Sequence, residues 1–333
     1  MRRPRRSAVS CGADMTDAAL RQSPLSQSPS ARSGRTARLD GSPWTPYLFA
    51  APVVLYLLLF QGYPLWRELM LSFTQTSLLT PQISTFVGMR NYAELAARPD
   101  FWRVIGVTAL YTGVCVIAAI ALGLGAALLL DRPFRGRGIA RALVTIPWAA
   151  PPVAVATIFA WMLNAQYGIL NHWMKLLDLE IGYESWLDNP RLALPAILIT
   201  TIWQIFPFSS VVLLAALQGV SEEVREAAQI DGADKLSIFK VAVWPTIRPT
   251  VALLALFVTI WSLRRFDLIW VMTQGGPIGA TKTLVIELYT RAFVSRELGE
   301  AAAVGMVGLT IALGVTLIYF WVTQRAERAE GRR

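Results

Sequence analysis

Of the 333 residues, 54% are hydrophobic and only 16% charged, against about 25% charged in soluble domains, so an ordinary water-soluble enzyme is excluded. The net charge of +9 comes from 31 basic and 22 acidic residues. No basic patch interleaved with aromatics accompanies it, so anionic lipid headgroups explain it better than nucleic acid. Cys11 lies in a polar tail and Cys115 in an apolar run, which rules out a disulfide framework, and the single His172 leaves no metal-ligand cluster.

Residues 1–43 are rich in Arg, Ser and Pro and lack hydrophobic periodicity, which predicts a disordered tail. No apolar run follows the early arginines closely enough for an export signal, and translation starts at either Met1 or Met15. Residues 44–323 then carry six segments able to cross a membrane: 47–73, 104–130, 142–163, 192–217, 250–272 and 301–323. Each supplies the roughly 20 mostly apolar residues that about 30 Å of hydrocarbon demands. Pro64, Pro147, Pro151, Pro152 and Pro207 fall inside these segments and point to a bundle with an internal cavity, where neighbours or water satisfy freed backbone groups. Gly123 and Gly125 are expected to let helices approach closely. A basic tail, 324–333, closes the chain. The expected fold is therefore all-α and polytopic, with six spans in one transmembrane domain.

Charge sets the expected orientation. One side collects Arg32, Arg35, Arg38, the loop arginines Arg132, Arg135, Arg137 and Arg141, then Arg225, Lys235, Lys240, Arg248, Arg325, Arg328, Arg332 and Arg333. The other carries Arg90, Arg98, Arg103, Lys175 and Arg191 with the acids Asp178, Glu180, Glu184 and Asp188. Excess Lys and Arg mark the cytoplasmic side, which places both termini there.

The polar stretch 221–249, set between the fourth and fifth spans, is the most informative. Ser221 stands at a helix N-cap with Glu222 and Glu223 in the first turn. Val224, Ala227, Ala228 and Ile230 form a flat apolar face, and Asp231-Gly232 breaks the helix. A second helix, 233–243, is predicted to put Leu236, Phe239 and Val243 on one face before Trp244-Pro245 stops it. The local reading is a helix-turn-helix knob.

The spacing of EAA (226–228), three residues, Gly232, nine residues and a hydrophobic stretch ending in Pro245 resembles the EAA loop of ABC-importer permeases. The stretch FDLIWVMTQGGPIGATKTLVIELYTRAF (266–293) and the runs FVGMRNYAEL, PDFWRVIGVT and YGILNHWM resemble the carbohydrate-uptake branch of that family, maltose and glycerol-phosphate permeases included. The resemblance implies a multi-pass subunit of a bacterial inner membrane. Its partners would be a second related permease, an ABC ATPase dimer and an extracytoplasmic solute-binding protein. It also implies that Glu226, Ala227, Ala228 and Gly232 couple to the ATPase, with Asp231, Ala233 and Pro245 secondary. The usual Ile-x-Leu-Pro end of the loop is here Ala242-Val243-Trp244-Pro245. No GxxxxGK[ST] loop is present, so ATP and magnesium are expected on the partner ATPase and no cofactor in this chain.

Solute-path candidates are the polar and aromatic residues inside spans: Trp203, Gln204, Arg264, Asp267 and Asn164, with Arg265, Trp148 and Trp161 beside them. Aromatic rings stack on sugars and amides bond hydroxyls, whereas the competing reading of the tryptophans is the interfacial belt. Ion pairing or snorkelling competes for Arg264, Arg265 and Asp267. A secondary transporter would leave the EAA spacing unexplained, and a membrane enzyme would need a cluster of acids, His or Cys that is missing.

Overall fold

The computed structural model describes residues 45–178 and 185–330; the predicted tail 1–43, Met15, Glu180, Glu184, Arg332 and Arg333 lie outside them. The chain divides into two units, Met1–Leu57 and Leu58–Arg333. In the first, helix α1 (Thr45–Leu57) exposes Leu48, Phe49, Val53 and Leu55, as an apolar face in lipid would. The second begins with a wide π turn (Leu58–Gly62) and α2 (Tyr63–Ser72), where Pro64 sits in the first turn and so costs no hydrogen bond.

Beyond α2 a short antiparallel pair, β1 (Thr74–Thr76) with β2 (Ser84–Phe86), departs from the all-α expectation in a loop only. Helix α3 (Arg90–Ala97) leads to the long α4 (Pro99–Asp131), then α5 (Arg137–Ala149), α6 (Pro152–Met162) and α7 (Ile169–Leu176). Helix α8 (Ala193–Leu217) runs into α9 (Glu222–Ile230) and α10 (Lys235–Ile238), which a second π turn (Phe239–Val243) joins to α11 (Trp244–Leu263). Last come α12 (Asp267–Thr273), α13 (Leu284–Tyr289) and α14 (Leu298–Glu330).

Among the described residues, five helical runs are long and apolar enough to cross a membrane: Tyr47–Ser72, Pro99–Asp131, Ala193–Leu217, Lys235–Leu263 and Leu298–Arg325. The third expected span, 142–163, is not one helix. It is α5 and α6, bent by 92° at Ala150-Pro151. Pro151 and Pro152 together remove two backbone donors and force the preceding residue out of helical geometry, and Ala150 has a ψ of 136°. The fifth span also differs from the expected 250–272. It starts at Lys235, ends at Leu263 and resumes as α12 after a break at residues 264–266.

Helices α4 and α8 form the spine. A Cβ on Gly123 would lie 2.6 Å from Ser209 Cβ and 3.0 Å from backbone atoms of Ser209 and Ser210. Glycine is what allows that approach. Gly125 faces open space and plays no such part. At one end of the spine Ala127, Leu130, Leu213 and Leu217 pack with Val243 and Ile247 from the fifth span. At the other, Phe101, Val104, Leu284 and Val304 close the bundle.

Candidate functional site

The stretch 221–243 folds as the predicted helix-turn-helix, and its geometry explains the sequence. Helix α9 ends in a full Schellman turn: the Gly232 N–H donates to Gln229 O and the Ala233 N–H to Ala228 O, both at 3.0 Å. Gly232 has φ +78°, a conformation that costs any other L residue. Two residues later Asp234 caps the next helix, its carboxylate accepting from the Ser237 N–H at 3.0 Å. Hydrogen bonding by the Ser237 side chain, and then by this backbone N–H, holds the Asp234 carboxyl below the ordinary Asp range. Ser221 occupies the N-cap of α9, but its side chain makes no capping bond.

Glu226, Ala227, Asp231, Gly232 and Pro245 are exposed, and Ala228 and Ala233 half-buried. Ile230 is 85% exposed, a large apolar area to leave in water on a polar loop. The predicted face of the second helix divides. Leu236 points outward, while Val243 is buried among Leu213, Leu217 and Ile247.

Pro245 does not stop the helix, contrary to expectation. It falls in the first turn of α11, where a missing N–H is harmless, and the preceding π turn carries the helix through. The result is one run of 29 residues from Lys235 to Leu263, roughly 43 Å long.

The far end of that run meets the break in the third span. The Gln204 amide nitrogen donates to Ala150 O at 3.1 Å, and its oxygen accepts from Arg265 Nη1 at 3.2 Å. Gln204 lies halfway along α8 and is buried. One side chain therefore satisfies a carbonyl freed by Pro151-Pro152 and anchors an arginine from the break in the fifth span. Arg265 is only 13% exposed, with Asp267 at 4.0 Å. Irregular backbone at membrane depth persists only where protein or a water-filled path satisfies it. Beside the junction the Tyr111 hydroxyl bonds Thr201 at 3.0 Å.

The other candidates are distributed differently. Trp203 packs on Phe159, with ring centroids 5.2 Å apart, and Trp148 on Phe208 at 5.5 Å. Asn164 serves a turn: its side-chain oxygen accepts from the N–H groups of Gln166 and Tyr167. Arg264 is exposed and lines a separate apolar cleft of about 320 Å³ with Leu263, Gly305, Gly308 and Leu309. Arg265, and not Arg264, is the arginine that reaches the junction. Sequence periodicity could not tell the two neighbours apart.

An ionic network at the end opposite the helix-turn-helix escaped the sequence reading. Glu287 is buried and pairs with Lys282 and Arg291, and Arg291 reaches Glu300, which also meets Arg98 at 3.3 Å. Burial alone would raise the Glu287 carboxyl, but the two cations outweigh it and hold it below the ordinary Glu range. The i,i+4 spacing of Glu287 and Arg291 was the available signal.

Residues 119–328 match the family described as binding-protein-dependent transport system inner membrane component. The sulfoquinovosyl glycerol transport system permease protein SmoG of Agrobacterium fabrum is 34% identical over 82% of this chain and 88% of its own length. The trehalose/maltose transport system permease protein MalF of Thermococcus litoralis is 33% identical over 83% of this chain and 92% of its own. Among solved structures, a chain of a bacterial alginate ABC transporter, in complex with an alginate pentasaccharide-bound periplasmic protein, shares the fold. Its TM-score is 0.73 at 22% identity, over 85% of this chain and 95% of that one. The chain belongs to the family of binding-protein-dependent transport system inner membrane components and is a multi-pass membrane permease, not an enzyme.

Proposed function

We propose that this chain is one permease subunit of an ATP-driven importer for a sugar or sugar derivative, supplying half of the translocation pathway. Relatives 33–34% identical over four fifths of the chain are named for transport of sulfoquinovosyl glycerol and of trehalose/maltose, which supports the solute class. A second related permease completes the bundle, and an ABC ATPase dimer, with its own ATP and magnesium, docks on the helix-turn-helix. A solute-binding protein delivers from the opposite face. The helix-turn-helix and both termini face the cytoplasm, as the concentration of Arg and Lys there favours.

The observation that carries the mechanism is the continuous helical run Lys235–Leu263, π turn included. Its first residues belong to the exposed knob formed by Glu226, Ala227, Ala228, Asp231, Gly232 and Ala233. Its last lead into Arg265, hydrogen-bonded to Gln204 at the break of the third span. Closure of the ATPase moves the knob, and a rigid helix delivers that displacement to the two broken spans, where the bundle changes which side it opens to. Trp203, Gln204, Arg265 and Asp267 line the solute path at that junction. Arg264 and Asn164 sit outside this constellation.

The test is purification in mild detergent of the chain tagged at its C-terminus, with mass spectrometry of what accompanies it. An ATPase and a second permease are expected. A monodisperse chain alone, transporting on an ion gradient, would replace the importer with a secondary transporter. Within the assembled complex, Glu226→Lys should uncouple solute from ATP hydrolysis while leaving the permease in the membrane. Normal solute-stimulated hydrolysis in that variant would remove Glu226 from the coupling surface.

A further inference from the structure

Between the end of the broken third span and the start of α8 lies α7, IleLeuAsnHisTrpMetLysLeu (Ile169–Leu176), which the transport mechanism does not use. At about 100° per residue, Ile169, Trp173, Leu176 and the following Leu177 fall within one arc of about 100°. All four are exposed, Trp173 by 55% and Leu176 by 69%. Asn171 points roughly the opposite way and is buried. Its amide nitrogen donates to Ala165 O at 3.2 Å, and its oxygen accepts from Trp186 Nε1 at 2.7 Å. A polar rivet thus fixes the helix to the bundle and turns its apolar arc outward. His172 and Lys175 lie between Asn171 and one edge of the arc, and Leu170 and Met174 between Asn171 and the other.

Such an arc in water costs about 25 cal/mol for every Å² left uncovered. Position says what covers it. Helix α6 ends at Met162 and exposes the apolar residues Val153, Ile158 and Trp161, and Tyr167, between the two helices, is exposed as well. Trp161 and Tyr167 are in ring contact at 6.4 Å. Only residues 163–168 separate α7 from α6, the second half of the bent pair that together is long and apolar enough to cross a membrane, and this keeps α7 near the boundary. The end concerned is the one opposite the helix-turn-helix, because α8 runs from there toward α9.

We propose that α7 is a membrane-interface helix, lying in the plane of the bilayer with Ile169, Trp173, Leu176 and Leu177 in the zone between headgroups and acyl chains. Amphipathic helices with Trp on the apolar side settle at that depth. The helix gives the outer part of the broken span a lipid anchor beyond the 92° bend. Movement of α5 can then be absorbed at Ala150-Pro151 without dragging α6 out of register with the bilayer.

The experiment places single spin labels at positions 173 and 176 on the arc and at 172 and 175 on the polar side, in a Cys11→Ser, Cys115→Ala background. The full chain is reconstituted in nanodiscs of phosphatidylethanolamine and phosphatidylglycerol. Collision with oxygen, which partitions into lipid, should exceed collision with a water-soluble nickel chelate several-fold more at 173 and 176 than at 172 and 175. Equal nickel accessibility at all four positions puts the arc in water, and protection of 173 and 176 from both reagents puts protein there; either overturns the proposal. An independent reading needs no label. The fluorescence lost between the parent and Trp173→Phe should be quenched by lipids brominated high on the acyl chain, and absence of that quenching also overturns it.

Discussion

Replacing Gly232 isolates the conformational requirement of the knob from every contact around it. A Cβ at this position meets nothing within 4 Å, so Gly232→Ala creates no clash and its cost is backbone alone. At φ +78° that cost is about 1–2 kcal/mol for Ala, less for Asn, which tolerates the left-handed region. A turn weakened by this amount lowers the population of the docking-competent shape by up to roughly 5–30-fold. Gly232→Pro goes further, since it imposes a negative φ and removes the N–H that bonds Gln229 O. The expected order of solute-stimulated ATP hydrolysis in the assembled complex is Gly, Asn, Ala, then Pro. Among the described residues of helix α9 none is fully buried, so the thermal unfolding midpoint of the permease should hold across the series. Equal stimulation in Gly232→Ala and the parent, or a fall in unfolding midpoint that tracks the loss of stimulation, would refute the reasoning.

Other consequences concern the bundle. Gly123→Ala drives a methyl into Ser209 and should cost about 1–3 kcal/mol by thermal unfolding in detergent, with Gly125→Ala a silent control. Gln204→Leu strips the donor from Ala150 O and the acceptor from Arg265, each unsatisfied group costing about 1–3 kcal/mol; solute uptake should fall while co-purification of partners persists. Glu287→Ala leaves Lys282 and Arg291 facing each other without their shared carboxylate, a loss of roughly 3–5 kcal/mol in the manner of broken buried pairs. Because the folded Glu287 carboxyl sits below its unfolded value near 4.3, its stabilisation is present above about pH 4 and disappears as pH falls through the folded value. The parent should therefore lose this part of its stability in acid, and Glu287→Ala should show a flatter profile in the same range.

Much of the fold was legible because apolar run length is a local property. Five of the six expected spans have helical counterparts, and Asp231-Gly232 declared its turn through the residue type that adopts it at least cost. The misreadings share a cause. Pro245 reads as a stop signal along the sequence, yet it sits in the first turn of a helix that a π turn carries past it. Residues 264–266 read as part of a span, yet the chain breaks there, and Arg265 turns to Gln204 while Arg264 faces the cleft beside α14. Asn164 has the composition of a path-lining amide, but the turn at the end of α6 takes its oxygen. None of these outcomes depends on residue type alone.

The sequence by itself determined that this chain is a multi-pass membrane protein, where its polar knob lies and which family it resembles. Hydrophobic length, helix breakers and short-range spacing are set by neighbours along the chain. Only the tertiary structure decided that the breaks of the third and fifth spans meet at Gln204, that Gly123 and not Gly125 is a close-packing site, and that the knob is continuous with a helix reaching that junction. Those facts depend on pairs such as Ala150 with Gln204 and Gln204 with Arg265, residues 54 and 61 positions apart. Which distant groups share a buried hydrogen bond is settled by how whole helices pack, and no local pattern encodes it.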